Sequence, residues 1–371
     1  MIKEKVVLCI VGARPNFMKI APIMRAFAVQ GQAKAVLVHT GQHYDKTMKH
    51  QFFDQLGIPE PDIDLEVGSG SHAVQTAEVM KRFEPVVDKY NPAAVLVVGD
   101  VNSTIACAMV ASKKHVPVIH VEAGLRSYDR TMPEEVNRVL TDQISDWLYT
   151  TEKPAEDNLA REGIDRSRVV FAGNVMIDTL MFNLEKAVPI ADTLSGQANG
   201  DRVKTGDYAV VTMHRPSNVD DKEVLSRLLE TLTKVSKDLP IVFPVHPRTE
   251  KQISLFGVDE FFNNPNIVKL PPLGYLELLG AISKAKVVLT DSGGIQEETT
   301  ALGVPCITLR ENTERPATVV DGTNTVVGTD PAKIIGAFED VMKSGGKAGR
   351  VPALWDGKAA ERIVVHINSW I

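Results

Sequence analysis

The chain of 371 residues is too long for one ordinary core and fits two domains of ordinary size. Hydrophobic residues make up 44% and charged residues 24%, as in ordinary globular proteins, and the net charge of −6 disfavours nucleic acid and anionic membrane as partners. Cys9, Cys107 and Cys306 lie in apolar runs without CxxC spacing, which predicts core residues in a reducing compartment. Because no run has the length of a signal core or a membrane span, we expect a cytoplasmic protein.

Strand-like runs alternate with helical patterns along the chain, which predicts an α/β protein with parallel, doubly wound sheets. In the first half, the predicted strands are Lys5–Val11, Ala35–Thr40, Ala94–Gly99, Val116–Val121, Leu148–Thr151 and Val169–Ala172. In the second half, they are Tyr208–Met213, Ile241–Val245, Ile267–Leu270, Lys286–Thr290, Pro305–Leu309 and Thr325–Gly328. The Pro, Gly, Asn and charged residues between Ala187 and Asp207 are typical of an interdomain linker.

The two similar halves predict two Rossmann-like domains that face each other across a cleft, the first over residues 1–180 and the second over 181–356. Apolar residues in Lys358–Ile371 have the spacing of an amphipathic helix. No dinucleotide fingerprint or Walker loop is present in the sequence.

The first predicted strand is followed by Gly12-Ala13-Arg14-Pro15-Asn16-Phe17-Met18-Lys19. Pro15 suits the first turn of a helix, and Arg14 and Lys19 bring two positive charges to that helix N-terminus. These charges oppose the helix dipole, and an anionic ligand would relieve the conflict. We therefore favour a ligand-binding role over a structural role for Arg14 and Lys19.

Three carboxylates lie on the expected ligand side of the first domain. Asp100 follows the third predicted strand, Glu122 follows the fourth, and Glu134 begins a helix after a proline. Plainer alternatives are that Asp100 caps a helix and that Glu134 forms an i,i+4 pair with Arg138. The cluster is typical of acid–base chemistry, because neighbouring carboxylates raise one another's pKa.

In the second domain, His214 ends the first predicted strand and could donate to a phosphate or neutralise a leaving group. A lone histidine is more often structural, but His214 ends a strand on the same side as the Ser292 loop, so we favour a functional role for it. For His246, after the next strand, the two roles are evenly balanced. Arg315, in Glu314-Arg315-Pro316, is either a phosphate clamp or part of a surface turn.

A predicted strand, two glycines and a helix succeed one another around Asp291-Ser292-Gly293-Gly294-Ile295-Gln296-Glu297-Glu298. The unpaired amides of a helix N-terminus attract anions. Glu298 lies about one turn inside, where its carboxylate could accept hydrogen bonds from ribose hydroxyls. A diphosphate with a ribose indicates a nucleotide. The alternative is an ordinary strand-to-helix turn with Glu297 and Glu298 as favourable first-turn charges.

Together, these segments resemble the UDP-N-acetylglucosamine 2-epimerase family, and its non-hydrolysing bacterial and archaeal branch is the closer match over residues 5–330. The matching motifs are Gly12-Ala13-Arg14-Pro15, Thr40-Gly41-Gln42-His43, Gly99-Asp100, His120-Val121-Glu122-Ala123-Gly124-Leu125-Arg126, Pro133-Glu134-Glu135, His214-Arg215, Pro244-Val245-His246-Pro247, Asp291–Glu298 and Glu314-Arg315-Pro316. The resemblance implies a GT-B architecture, with the active site between the domains and the last helix, in segment 357–371, packed back on the first domain.

The resemblance also implies roles for individual residues. Acid–base positions fall on Asp100, Glu122 and Glu134, and UDP is held by Arg14, His214, Ser292 and Glu298, with His214 also expected to act in catalysis. Further expected substrate-binding residues are Lys19, Gln42, His43, Arg138, His246, Asp291, Gly293, Gly294 and Arg315. No cofactor and no metal are expected, because cations and helix amides can neutralise the diphosphate. A homodimer and a role in cell-surface polysaccharide biosynthesis are expected from the family.

The expected reaction interconverts UDP-N-acetylglucosamine (UDP-GlcNAc) and UDP-N-acetylmannosamine (UDP-ManNAc) through elimination of UDP to 2-acetamidoglucal and re-addition. The sequence departs from the family at Asn16, where members often carry Glu, and at Tyr44-Asp45-Lys46, near the region that binds a second, activating UDP-sugar in some members. The alternatives are a C2 epimerase of UDP-2,3-diacetamido-glucuronic acid, a hydrolysing epimerase, a GT-B glycosyltransferase and an inactive UDP-sugar sensor.

Overall fold

The computed structural model describes residues 4–41, 57–204 and 206–371, with only the backbone described for 14–15. The chain divides into two compact units. The first contains Met1–Phe182 and Ala353–Ile371, and the second contains Asn183–Pro352. In the described ranges, no helix combines the length and apolar character needed to cross a membrane.

A seven-stranded parallel sheet organises the first unit, in the order β3-β2-β1-β4-β5-β6-β7. Its strands are β1 (Val6–Val11), β2 (Lys34–His39), β3 (Ile63–Asp64), β4 (Ala94–Val98), β5 (Val118–Ala123), β6 (Trp147–Thr150) and β7 (Val169–Phe171). The described helices that accompany them are α1 (Arg14–Gln30), α2 (His72–Tyr90), α3 (Asn102–Lys113), α4 (Pro133–Ile144), α5 (Lys153–Arg161) and α6 (Val175–Leu184). Strand β4 is buried at every position, as expected for a parallel strand that is covered on both faces.

A six-stranded parallel sheet organises the second unit, in the order β10-β9-β8-β11-β12-β13. Its strands are β8 (Ala209–Thr212), β9 (Ile241–Pro244), β10 (Ile267–Leu270), β11 (Val287–Thr290), β12 (Cys306–Thr308) and β13 (Asn324–Val326). The helices are α7 (Ile190–Thr193), α8 (Pro216–Val219), α9 (Lys222–Val235), α10 (Pro247–Phe256), α11 (Tyr275–Ser283), α12 (Gly293–Leu302), α13 (Pro316–Val320) and α14 (Pro331–Ser344).

Helix α9 illustrates how local sequence fixes these elements. The Asp221 side chain accepts hydrogen bonds from the amides of Glu223 and Val224, which are otherwise unsatisfied at a helix start. Leu225 and Leu228 recur on one face of the helix and are buried in the core against β8 and β11. Capping thus sets where α9 begins, and the apolar stripe sets which face it buries.

The last helix, α15 (Ala359–Trp370), belongs to the first unit. The Asp178 carboxylate in α6 accepts hydrogen bonds from the amides of Ala359 (3.1 Å) and Ala360 (2.7 Å). Nε1 of Trp355 donates to the carbonyl of Thr151 at 2.8 Å. The start of α15 is therefore fixed by a buried carboxylate and by a buried indole just before it.

Each of the twelve predicted strands overlaps an observed strand, and the fold class of two Rossmann-like parallel-sheet domains is confirmed. The two-residue strand β3 was not predicted. The segment predicted as an interdomain linker is packed instead: Ile190 and Leu194 in and after α7 are buried in one core cluster with Tyr208. The polar residues of this segment lie in turns between its buried apolar residues. The linker prediction was therefore wrong.

Strand β5 continues to Ala123, beyond the predicted end at Val121. Glu122 therefore lies inside the strand, whereas the sequence placed it after the strand. The register of β5 against β6 shifts between Val121 and Ala123, and Glu122 has a φ of 74°. The prediction missed this bulge because a bulge is a backbone event with no hydrophobic period.

Candidate active site

The candidate residues of the first unit lie where its sheet order reverses, at the carboxyl ends of β1 and β4. Ligands of open α/β sheets bind at such a switch point. Gly12 leads from β1 into α1, and a Cβ there would lie only 2.2 Å from Oγ of Ser103. Asn16 joins this loop to β4, because its Nδ2 donates to the carbonyl of Val98 at 2.8 Å while its Oδ1 accepts from the amide of Ala13 at 3.0 Å. Asn16 therefore has a structural role in this loop.

Lys19 and Glu122 form a buried ion pair, with 2.6 Å between Nζ and Oε2. Nζ of Lys19 also lies against Gly99, where a Cβ would approach it to 2.7 Å. The sequence suggested Lys19 as a ligand for a substrate anion, whereas the structure places its ammonium group on a carboxylate of the protein. A cation at this distance favours the ionised form of Glu122.

Glu122 adopts the left-handed conformation that side chains other than glycine rarely take, at a cost of about 1–2 kcal/mol. The bulge at this residue changes the direction in which its side chain leaves the strand. Backbone strain at a buried, ion-paired carboxylate is typical of a functional position.

Arg138 links Asp100 to a second carboxylate in α4. Its NH2 lies 2.5 Å from Oδ2 of Asp100, and its NH1 lies 2.6 Å from Oε2 of Glu135. Glu135 also accepts hydrogen bonds from the amides of Ser127 and Tyr128 and so orders the loop before α4. The sequence analysis did not single out Glu135, because no local sequence pattern distinguishes it from Glu134.

Both plain alternatives for these carboxylates are wrong. Arg138 pairs with Asp100 and Glu135, and the predicted i,i+4 pair with Glu134 does not form. The N-cap of α3 is Val101, without a side-chain hydrogen bond, so Asp100 does not cap that helix. Glu134 is half-buried and makes no ion pair with another residue of the described ranges.

The candidate residues of the second unit lie at its own switch point, at the carboxyl ends of β8 and β11. Asp291 is fully buried and accepts hydrogen bonds from the amides of His214 and Arg215, at 2.9 Å each, and from Nδ2 of Asn218 at 3.2 Å. Its Oδ1 lies 2.9 Å from Nδ1 of His214. Burial opposes ionisation, yet His214 and these amides hold the pKa of Asp291 below its usual value. Asp291 therefore fixes the imidazole and directs Nε2 away from itself.

His246 lies beside this pair, with 5.4 Å between its ring centroid and that of His214. Nδ1 of His246 accepts the amide of Arg248 at 3.2 Å and caps α10. The structural role that the sequence left open is therefore present, and the ring also neighbours His214.

Helix α12 begins after Ser292, whose side chain makes no capping hydrogen bond, so it leaves the first amides of the helix available to a ligand. Gly293 is required there, because a Cβ would lie 2.8 Å from Oε1 of Glu314. Glu298 is buried one turn further on. Burial, with the neighbouring Glu297, raises its pKa to about 7, against the opposing hydrogen bond with Tyr275.

Arg315 is buried and is not part of a surface turn. Its Nε lies 3.1 Å from Oε1 of Glu297. Glu314 is 2.8 Å from NH2 of Arg310. Although burial opposes ionisation, Arg315 and Arg310 hold the pKa of the Glu314 carboxyl well below its usual range. Because Arg315 engages Glu297, Glu298 is the better candidate for ribose hydroxyls.

The structure thus brings together Lys19, Asp100, Glu122 and Arg138 in the first unit. In the second unit it brings together His214, His246, Asp291, Ser292, Gly293, Gly294, Glu298 and Arg315. Gln42 and His43, as well as the side chain of Arg14, lie outside the described residues. Within the described ranges, no group of three or more His, Cys, Asp or Glu is placed to hold a metal ion.

The chain as a whole is similar to known proteins. The family model described as UDP-N-acetylglucosamine 2-epimerase matches residues 25–368. The UDP-N-acetylglucosamine 2-epimerase of Methanocaldococcus jannaschii is 42% identical over 361 residues, which cover 96% of each chain. The UDP-2,3-diacetamido-2,3-dideoxy-D-glucuronate 2-epimerase of Pseudomonas aeruginosa is 41% identical over 326 residues, which cover 87% of this chain and 88% of that protein.

Among solved structures, the M. jannaschii UDP-GlcNAc 2-epimerase in complex with UDP-GlcNAc and UDP superposes with a TM-score of 0.88 at 40% identity. The match covers 98% of this chain and 99% of that chain.

Proposed function

The chain belongs to the UDP-N-acetylglucosamine 2-epimerase family, and from this premise we propose that it interconverts UDP-GlcNAc and UDP-ManNAc without hydrolysis. The observation that carries the proposal is the pair of carboxylates, Asp100 and Glu122, each beside a cation at one switch point. The open N-terminus of α12 and the His214–Asp291 pair at the other switch point support it.

The first step breaks the bond between C1 and the UDP oxygen, and the electron pair leaves with UDP. The hydrogen on C2 is not next to a carbonyl, so it becomes acidic only when C1 acquires oxocarbenium character. His214 and the amides of α12 stabilise the departing diphosphate, and Glu298 accepts the ribose hydroxyls. No redox change occurs in this step.

The second step moves the C2 proton to a carboxylate and leaves a C1=C2 double bond, which is 2-acetamidoglucal. Lys19 and Arg138 favour the ionised forms of Glu122 and Asp100, and a general base must be ionised. Return of a proton to the opposite face of C2 and attack of UDP on C1 give the epimer. Asp100 and Glu122 are the proposed proton-transfer pair, with Glu134 as a third acid–base or sugar-orienting group.

Incubation with UDP-GlcNAc in D2O tests the proposal against its alternatives. Deuterium at C2 of both UDP-sugars is expected for the epimerase. Free N-acetylmannosamine with UDP would indicate a hydrolysing epimerase, and sugar transfer without exchange would indicate a glycosyltransferase. Unchanged UDP-GlcNAc would indicate either a sensor or an epimerase of another UDP-sugar.

The carboxylate variants Asp100→Asn, Glu122→Gln and Glu134→Gln test the assignments of the acid–base groups. Each should lower turnover on the order of 10²-fold or more while UDP affinity stays near normal. Some should release 2-acetamidoglucal and UDP, because elimination survives when re-addition fails. Glu84→Gln is a matched control, because Glu84 is exposed and pairs with Lys114 on the surface. Near-parental exchange in all three variants would contradict the assignment.

The relative from Pseudomonas aeruginosa supports a second candidate substrate, UDP-2,3-diacetamido-2,3-dideoxy-D-glucuronate. The C2 chemistry would be the same, and the difference lies in the groups at C3 and C6. Comparison of kcat/KM for the two UDP-sugars decides between them.

We also propose, on the family resemblance, a cytoplasmic homodimer that serves cell-surface polysaccharide biosynthesis. Light scattering should then give a mass of twice the 40.5 kDa of one chain.

A further inference from the structure

His120 in β5 is fully buried, and both of its ring nitrogens contact acceptors. Nδ1 lies 2.6 Å from Oδ1 of Asp142, and Nε2 lies 2.8 Å from the carbonyl oxygen of Gly99. A carbonyl oxygen can only accept a hydrogen bond, and an ionised carboxylate can only accept as well. Both ring nitrogens must then carry hydrogen, which makes the ring an imidazolium.

Asp142 must be ionised for both ring nitrogens to donate, and its other contacts favour that form. Oδ2 of Asp142 accepts the amide of Gly124 at 3.1 Å and lies 2.7 Å from NH2 of Arg126. A guanidinium at this distance favours the ionised form of a carboxyl group.

The charges of the surrounding network balance only with a protonated His120. Arg126 also donates to both carboxylate oxygens of Glu162, at 2.8 and 2.6 Å. Arg126 and an imidazolium at His120 match the two carboxylates of Asp142 and Glu162. A neutral His120 would leave a surplus negative charge around the buried Asp142, which is costly inside a protein.

The network braces both proposed proton-transfer groups. Asp142 holds the strand on both sides of Glu122, through the ring of His120 before it and through the amide of Gly124 after it. His120 holds the carbonyl of Gly99, the residue before Asp100.

We propose that His120 is a buried imidazolium that positions Asp100 and Glu122 for proton transfer. The protonation rests on hydrogen-bond geometry alone, and the positioning role rests on the proposed epimerase function. His120 touches neither carboxylate side chain in the contacts above, so it acts through Gly99 and through the bulge of β5.

Nuclear magnetic resonance of protein with ¹⁵N-labelled histidine tests the protonation. At about pH 8, where an unperturbed histidine is neutral, His120 should show hydrogen on both ring nitrogens. Its signals are assigned by their loss in His120→Gln. His366 is an internal control, because its Nδ1 lies 2.8 Å from the Tyr149 hydroxyl and should carry no hydrogen. Neutron diffraction from the parent protein locates the same hydrogens without any variant. A ring nitrogen of His120 without hydrogen would overturn the proposal.

Kinetics test the positioning role. His120→Gln should lower kcat by about tenfold or more with KM within about twofold, because the carboxylates and not the substrate contacts are displaced. Loss of the cation also disfavours the ionised carboxylates, so the acidic limb of the kcat profile should move to higher pH. The other charges that face these carboxylates, on Lys19, Arg138 and Glu135, are the same in parent and variant.

Asp142→Asn should lower kcat but leave the pH profile near its parental position, because an asparagine amide can donate to a neutral imidazole and the variant then loses the cation and the anion together. His115→Asn is the matched control, since His115 is exposed in the loop before β5 with a φ of 57° that asparagine tolerates. A lower kcat with an unmoved pH profile in His120→Gln would reduce His120 to a structural role. If the parent shows no exchange at C2, the proposed function fails, while the ring protonation is still decided by the spectra.

Discussion

Glu298 is a buried carboxylate whose pKa of about 7 places its ionisation in the physiological range. Only the ionised form accepts hydrogen bonds from both ribose hydroxyls, so nucleotide affinity should rise as the pH increases through about 7. Between about pH 6 and pH 8 the gain should approach tenfold, which corresponds to one pKa unit of ionisation. Calorimetry with UDP-GlcNAc measures this gain, because its diphosphate diester does not titrate in that range.

In Glu298→Gln the pH dependence should disappear, and affinity should fall by about 1.5–3 kcal/mol, as for a hydrogen bond to a charged group. A slope of the opposite sign would exclude Glu298 as the titrating group. Glu250→Gln is a control with an exposed carboxylate that pairs with Lys269. A pH dependence that persists unchanged in Glu298→Gln would contradict the role of this carboxylate.

Asp291→Asn should disturb the second unit in two measurable ways. The oxygen of asparagine can still accept the amides of His214 and Arg215, but these hydrogen bonds lose their charged acceptor, at a cost of about 1–3 kcal/mol in unfolding free energy. Because His214 also loses its orienting partner, kcat should fall on the order of 10-fold or more. Thermal unfolding and turnover measure the two effects. The control Asp220→Asn, at an exposed pair with Arg248, should change neither kcat nor UDP affinity.

The sequence identified candidate residues because functional side chains follow parallel strands, but it did not show which of them meet. Lys19 reaches Glu122, and Arg138 reaches Asp100 across elements that are far apart in the chain. Such pairings depend on strand register and rotamers, which local pattern does not determine. Glu135 was missed for the same reason, because only its contacts in the folded structure distinguish it from Glu134.

At the scale of elements, continuous apolar runs were sufficient to predict the twelve strands, because parallel strands are buried on both faces. Composition was a poor guide between Ala187 and Asp207, where a few buried residues such as Ile190 and Leu194 outweigh many polar ones. Sheet order was also beyond the sequence, because nothing local states that β4 lies beside β1.

The attachment of α15 should depend on pH through Asp178. Burial raises the pKa of Asp178 to about 6, although the amides of Ala359 and Ala360 oppose the shift. The folded state therefore holds the proton more tightly than the unfolded state. Its contribution to stability is fully present below the unfolded pKa of 3.8 and is lost as the pH rises through about 6.

Asp178→Asn removes the buried charge and keeps an acceptor for only one of the two amides, because Ala359 and Ala360 donate to different carboxylate oxygens. Relative to the parent, the unfolding free energy of this variant should rise by about 1–2 kcal/mol between about pH 4 and pH 7.5. Asp178→Ala should be less stable than Asp178→Asn, because it also removes the cap. Denaturant unfolding at both pH values measures the three proteins. A difference between parent and Asp178→Asn that grows toward low pH would show that hydrogen bonding and not desolvation dominates at this site.

At the scale of the whole molecule, the two units repeat one design. Each sheet reverses its order beside its first strand, between β1 and β4 in the first unit and between β8 and β11 in the second. The carboxylates lie at one switch point, and the open helix N-terminus with the His214–Asp291 pair lies at the other. The sequence predicted this division because chemistry-bearing residues follow strands in both halves.

We propose that a UDP-sugar binds with its nucleotide at one switch point and its reacting sugar at the other, and that this binding draws the two units together. The chain passes between the units twice, at 182–183 and at 352–353, which allows a hinge motion. Small-angle scattering should therefore give a smaller radius of gyration with saturating UDP-GlcNAc than without it.

The matched control for closure is the double variant His214→Ala/Glu298→Gln, which should bind the nucleotide weakly and keep the larger radius with the same addition. Asp100→Asn should still close, because the nucleotide groups are intact and only proton transfer is lost. Compaction in the double variant at a concentration where calorimetry shows no binding would point to a general solution effect. If the parent protein is shown to be saturated with UDP-GlcNAc and its radius of gyration is unchanged, closure is contradicted.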